Sequence, residues 1–195
     1  MNEAAHEVPV GVSNRHLHVC ERDRDLLFGK GSRLTRMRAL SQGGQFAAHE
    51  TVTLIGPKGF IEYIRVLGPE RAETQVELSM SDLRHLGLTA PVKESGDLSG
   101  TPGIAVIGSF GLVYLKHGLI CPKRHIHMTP ADAGRFGAKD GQTVSVQTQG
   151  DRSVLMKNAV VRVDASYRLE CHLDTDEANC ADVKNGDAVL VWFNG

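Results

Sequence analysis

One pattern constrains the fold of this chain more than any other: Arg15-His16-Leu17-His18, ahead of a short helical segment, recurs as Arg124-His125-Ile126-His127 ahead of another. The downstream stretches match too, Val76-Glu77-Leu78-Ser79-Met80-Ser81-Asp82 corresponding to Cys171-His172-Leu173-Asp174-Thr175-Asp176-Glu177. A chain of 195 residues has room for two small domains, and a duplication of this kind implies that it uses the room that way. A finer repeat lies in the second half, where residues 137–144 resemble 182–189, each a turn entering a strand after a short helix.

Hydrophobic period fills in the elements. β-branched or alternating apolar runs predict strands at 8–12, 50–55, 60–66, 74–78, 104–107, 112–115, 143–147, 159–163, 168–173 and 188–193. Pro57-Lys58-Gly59 and Gly150-Asp151 read as hairpin connections. Helices are expected over 21–28, 81–86, 129–136 and 175–181, each after a capping-type residue. Residues 90–103, with two prolines and three glycines, read as a linker. The expected fold is therefore mainly β: two small β-barrel domains related by internal duplication, each capped by short helices, over residues 1–92 and 93–195. Barrel closure removes the exposed sheet edges that so strand-rich a chain would otherwise present.

Charge and composition exclude several functions. With 22 Lys plus Arg against 23 Asp plus Glu, the chain lacks the basic surface that nucleic-acid binding requires. Its longest apolar runs, such as residues 188–193, fall far below the ~20 residues of a membrane span. The first eight residues hold no apolar leader segment, so a cytoplasmic location is expected. Cys20, Cys121, Cys171 and Cys180 form no C-x-x-C pair and are expected as reduced thiols.

The histidines carry the chemistry. On a strand, residues i and i+2 share a face, so His16 with His18, and His125 with His127, each present two imidazoles to one point. Glu77 and His172 hold the matching third position of each repeat. Five imidazoles and one carboxylate exceed what one tetrahedral ion takes, so the expectation is a two-metal centre between the domains, with Zn²⁺ favoured by histidine-rich ligation. His6, His49, His85 and His117 have no repeat partner and read as surface or loop residues. Cys20 shares strand parity with His16 and His18 and is a secondary thiolate candidate. Residues 174–179 superficially resemble the start of a calcium loop but lack its glycine and distal glutamate, so a helix cap whose carboxylates orient His172 is the better reading. Arg65 and Arg71 flank Leu67-Gly68-Pro69-Glu70, and either guanidinium could clamp a phosphate. Two other readings stay open: a metal-dependent hydrolase using the same ligands, and a cupin-like non-catalytic metal-binding module suggested by His16-x-His18-x-x-Glu21.

Val12-Ser13-Asn14-Arg15-His16-Leu17-His18, the stretch from Val66 through Arg71 to Glu77, Lys123-Arg124-His125-Ile126-His127-Met128 and the stretch from His172 to Asn179 resemble the signature blocks of the PduL-type phosphotransacylases, or phosphate propanoyltransferases. The resemblance implies two β-barrel domains with short helices and a dizinc centre. It also implies interconversion of a short-chain acyl-CoA (propionyl- or acetyl-CoA) plus phosphate with an acyl phosphate plus CoA. Zinc ligation then falls on His16, His18, Glu77, His125, His127 and His172, and phosphate binding on Arg71 rather than Arg65. The implied partners are acyl-CoA and phosphate, with a homo-oligomer left open. The chain departs from the family pattern at Lys93, where arginine is usual, and at Gly108-Ser109-Phe110-Gly111, which lacks a frequent proline. Some family members carry an N-terminal amphipathic extension that docks them in a bacterial microcompartment. This chain begins too close to its first strand for one, so shell association is not expected.

Overall fold

The computed structural model describes residues 5–193, leaving outside it residues 1–4, part of the N-terminus read above as leader-free, and residues 194–195. In chain order the elements are β1 (His6–Ser13), β2 (His16–His18), α1 (Glu21–Phe28), β3 (Arg36–Ala39), β4 (Phe46–Gly56), β5 (Gly59–Gly68), β6 (Gln75–Glu77), α2 (Met80–Leu86), β7 (Val92–Lys93) and β8 (Ile104–Ile107). They continue as β9 (Leu112–Leu115), β10 (Leu119–Pro122), β11 (His125–Met128), α3 (Pro130–Phe136), β12 (Thr143–Gln147), β13 (Leu155–Val163), β14 (Glu170–Asp174), α4 (Thr175–Ala181) and β15 (Ala188–Trp192). The fold is mainly β with short helices, and no helix among the described residues is long and apolar enough to cross a membrane.

Contacts divide the chain into two units, one running from Asn14 to Pro122 and the other combining the chain up to Ser13 with everything from Lys123 onward. This division differs from the expected one at residue 92. Strand β1 pairs in parallel with β14 and antiparallel with β15, so the N-terminal strand belongs with the C-terminal half. Strands β8, β9 and β10 extend the sheet of the other unit, which makes residues 90–103 a connection inside that unit.

The unit containing the C-terminal half is a closed six-stranded barrel in the order β1-β14-β11-β13-β12-β15. Its core gathers the inward residues of alternating strands, including Val8, Val10, Ile126, Val146, Val161, Leu173, Val189 and Val191. The Asn14–Pro122 unit is a curled nine-stranded half-barrel in the order β7-β10-β6-β2-β5-β4-β8-β9, with β3 beside β4. Leu17, Leu54, Ile64, Val66, Val76 and Leu78 fill its core. Fully burying one such side chain is worth about 1.5–3 kcal/mol, and that burial sets the register of the short histidine strands. Leu17 and Ile126 are fully buried between their flanking histidines, and a one-residue slip would exchange the apolar side chain for the imidazoles.

All four helices begin within one residue of expectation, and three of them carry a side-chain cap. Ser79 caps α2, and Thr129 and Asp174 form reciprocal capping boxes with Asp132 and Glu177 at α3 and α4. Cys20 at the start of α1 makes no side-chain cap. Both hairpins form: β4 and β5 are joined through Pro57-Lys58, and β12 and β13 pair across the turn containing Gly150. The duplication is visible in matching ion pairs. Arg15 Nε donates to Asp82 on α2 at 3.0 Å, and Arg124 Nε donates to Glu177 on α4 at 2.6 Å.

Candidate metal centre

In the half-barrel, β2 lies between β5, its parallel neighbour, and β6, its antiparallel one, and His16 stands directly opposite Glu77. His16, His18 and Glu77 are all buried, and their ligand atoms lie within 4.8 Å of one another. Asn14 O lies 2.8 Å from His16 Nδ1. A carbonyl only accepts, so Nδ1 carries a proton, and in the neutral ring the lone pair sits on Nε2, 3.4 Å from Glu77 Oε2. Burial alone would lower the His16 pKa, but the charge and hydrogen bond of Glu77 outweigh it and raise it. Burial would likewise raise the Glu77 carboxyl; His16 and His18 more than offset it and hold the carboxylate far below its usual range. Burial, then the neighbouring His16 and Arg71, keep His18 neutral well below its usual pKa.

Arg71 joins this group through a hydrogen-bonded chain. Its Nη1 donates to Ser95 Oγ at 3.0 Å, Gln75 Nε2 donates to the same oxygen at 2.8 Å, and Gln75 Nε2 also reaches Glu77 Oε1 at 2.5 Å. The Gln75 carbonyl accepts from Gly96 N at 2.8 Å, pinning the 94–99 loop to β6. With both Ser95 lone pairs engaged, its hydroxyl proton is turned toward the Glu77 carboxylate and helps hold that carboxyl low. Arg65, the other candidate, spends Nη1 on the carbonyls of Ala48 and His49, each at 2.9 Å, and so braces β4. Lys93 donates to Asp97 and to Ser99 O, closing the loop that carries Ser95.

In the barrel, β11 runs antiparallel to β14 and parallel to β13, and His125 stands opposite His172 as His16 does Glu77. The ligand atoms of His125, His127 and His172 again lie within 4.8 Å of one another. His125 Nδ1 donates to Lys123 O at 2.9 Å, the counterpart of the His16–Asn14 bond. His127 is buried and stacked on Tyr167 at 4.0 Å between ring centroids, and burial, reinforced by His125, His172 and Arg162, lowers its pKa to about 2. Glu170 Oε2 accepts from His172 Nε2 at 2.7 Å.

The six residues expected as ligands thus form two three-residue groups. Three other expectations change. Cys20 is outside both groups, because β2 ends at His18 and the parity argument ends with it; its sulfur lies 3.3 Å from Thr74 Oγ1. Glu21 projects from α1 with an exposed side chain near Arg24, so the cupin-like His-x-His-x-x-Glu grouping does not assemble. Asp174 caps α4, as expected for the 174–179 stretch, but the carboxylate that meets His172 is that of Glu170. His49 is exposed, His85 and His117 bond Phe60 O and Glu73, and His6 packs on Phe136 and Phe193. Ser95, Gln75 and Glu170 went unseen in the sequence, the last two although each stands two residues before a ligand on one strand face.

The side chains present fit metal ions. His18 Nδ1 and both ring nitrogens of His127 are buried without a hydrogen-bond partner. An unsatisfied buried polar atom costs about 1–3 kcal/mol, and a metal ion removes that cost at the one nitrogen of each ring that it takes. Three imidazoles in one group, and two imidazoles with one carboxylate in the other, are donor sets suited to zinc with a coordination position left open.

A family model described as phosphate propanoyltransferase matches residues 9–184 of the chain. Among similar proteins, the phosphate propanoyltransferase of Thermotoga maritima is 51% identical over 183 residues, covering 93% of this chain and 87% of its own length. That of Rhodopseudomonas palustris is 48% identical, with 95% and 82% covered, and that of Lachnoclostridium phytofermentans 49% identical, with 94% and 86% covered.

Proposed function

The chain belongs to the phosphate propanoyltransferase family and is an acyltransferase, and from that membership we propose that it interconverts a short-chain acyl-CoA plus phosphate with an acyl phosphate plus free CoA, each histidine group holding one zinc ion. The observation that carries the metal part is the set of buried ring nitrogens of His18 and His127 that have no hydrogen-bond partner. In the forward direction a phosphate oxygen bonds to the thioester carbonyl carbon, the C–S bond breaks, and the electron pair leaves with the CoA thiolate. Metal ions bound at the two groups would polarise the carbonyl and neutralise charge on phosphate and thiolate.

Arg71 holds phosphate. Its guanidinium carries fixed positive charge beside His16 and His18, and Ser95 orients it. Phosphate is already anionic near neutral pH, so no side chain need deprotonate it, and a positioned oxyanion attacks directly. An acyl-enzyme route finds no nucleophile in either group. The Ser95 hydroxyl is committed to Glu77, and burial pushes the Cys171 thiol up to about 12 within the barrel core.

The experiment is thiol release from propionyl-CoA by the purified protein, with and without phosphate and before and after chelation. Release that requires phosphate and is lost on chelation supports the transacylase. Release at the same rate without phosphate establishes the metal-dependent hydrolase instead.

A further inference from the structure

Resting on the reading that His125, His127 and His172 hold a zinc ion, the geometry points to Glu170 as the positioning residue for His172 and to Gly11 as the residue that makes room for it. Glu170 and His172 alternate with the buried Cys171 on β14, so both project from one face, with side chains only 16% and 19% exposed. At 2.7 Å from a carboxylate that can only accept, His172 Nε2 must be the protonated nitrogen. The tautomer is thereby fixed with Nδ1 bearing the lone pair, and a carboxylate behind a ligating imidazole both orients the ring and strengthens it as a donor.

Gly11 stands opposite His172 in the parallel pairing of β1 with β14. Its backbone is not in the left-handed region, so no turn demands glycine there. A Cβ at this position would lie 2.7 Å from Glu170 Cδ and 2.9 Å from Oε2, inside contact distance, so the missing side chain is what lets the carboxylate reach His172.

The duplication supplies an independent argument. Glu170 faces His127 across β11–β14, the position Gln75 occupies facing His18 across β2–β6. In the half-barrel the third ligand is the carboxylate Glu77, an acceptor, and Gln75 offers it an N–H at 2.5 Å. In the barrel the third ligand is an imidazole, a donor, and the residue two positions earlier is a carboxylate that accepts. Ligand and support have exchanged hydrogen-bonding character together, which a solvent-facing ion pair would not require.

The test is zinc affinity, read without turnover. Full-length protein stripped by chelation is titrated with Zn²⁺ against a chromophoric chelator to obtain its binding constants. Glu170→Ala weakens one constant by about 10–100-fold and leaves the other unchanged. Glu170→Gln, which keeps an acceptor oxygen, restores most of the loss. Gly11→Ala weakens the same constant by displacing the carboxylate without removing it, and it carries the test should Glu170→Ala fail to fold. Wild-type constants in both Glu170→Ala and Gly11→Ala overturn this inference alone. A wild-type protein that takes up no zinc overturns the metal reading and the inference with it.

Discussion

His127 gives the barrel a calculable weakness in acid when it is free of metal. The ring is 5% exposed, its nitrogens have no hydrogen-bond partner, and its pKa falls from 6.5 to about 2. The unfolded chain takes up a proton at this histidine below pH 6.5, and the folded barrel does not until about pH 2. Stability is therefore present above the unfolded pKa and drains away as pH falls, at about 1.4 kcal/mol per pH unit. From pH 7 to pH 5 the loss from this one group is about 2 kcal/mol. His127→Phe keeps an aromatic ring against Tyr167 and deletes the titration, and its packing change cancels when one variant is compared at two pH values. The only tryptophan, Trp192, lies on β15, so its fluorescence follows unfolding of the barrel. Urea denaturation in excess chelator should show wild type losing about 2 kcal/mol more than His127→Phe between pH 7 and pH 5. Equal losses would mean that His127 is protonated or hydrogen-bonded in the metal-free barrel, and the argument from its orphaned nitrogens would fail.

Arg71→Ala should cut turnover by about 10²–10³-fold while leaving zinc content unchanged, because it removes a charge-assisted donor but no ligand; Arg71→Lys should recover little, since a point charge lacks the guanidinium fork. Arg65→Ala, which removes a charged donor from the carbonyls of Ala48 and His49, should destabilise the half-barrel by about 1–3 kcal/mol in denaturant titration yet retain turnover. Ile126→Ala, at a fully buried position between two ligands, should cost about 2–5 kcal/mol in the transition reported by Trp192.

The histidine groups were legible because their signal is local and doubled: two residues apart on a strand, repeated ahead of a helix in both halves. Strands with β-branched or alternating apolar residues were legible for the same reason, and helices α1 and α4 keep their expected limits. Strand β3 was not, since Arg36–Ala39 is exposed at every position and carries no alternation. Strand β7 is two residues long, and β10, buried through Leu119, Ile120 and Cys121, has no period to read. The division by contacts departs from the expected boundary because the parallel pairing of β1 with β14 joins distant segments, and no local pattern announces a partner that far along the chain. Gln75, Ser95 and Glu170 escaped for a related reason: each matters through the side chain it meets, and that meeting exists only once register is set. Glu170 and Gln75 occupy equivalent repeat positions, so aligning the halves with attention to donors and acceptors would have marked both.

The most direct test of the account is elemental analysis of the purified, active protein beside His125→Ala. Two zinc ions per chain in wild type, falling to about one in the variant with loss of turnover, is the predicted result, since removing one imidazole opens the barrel group and leaves that of His16, His18 and Glu77 whole. A fully active enzyme containing no transition metal would contradict it.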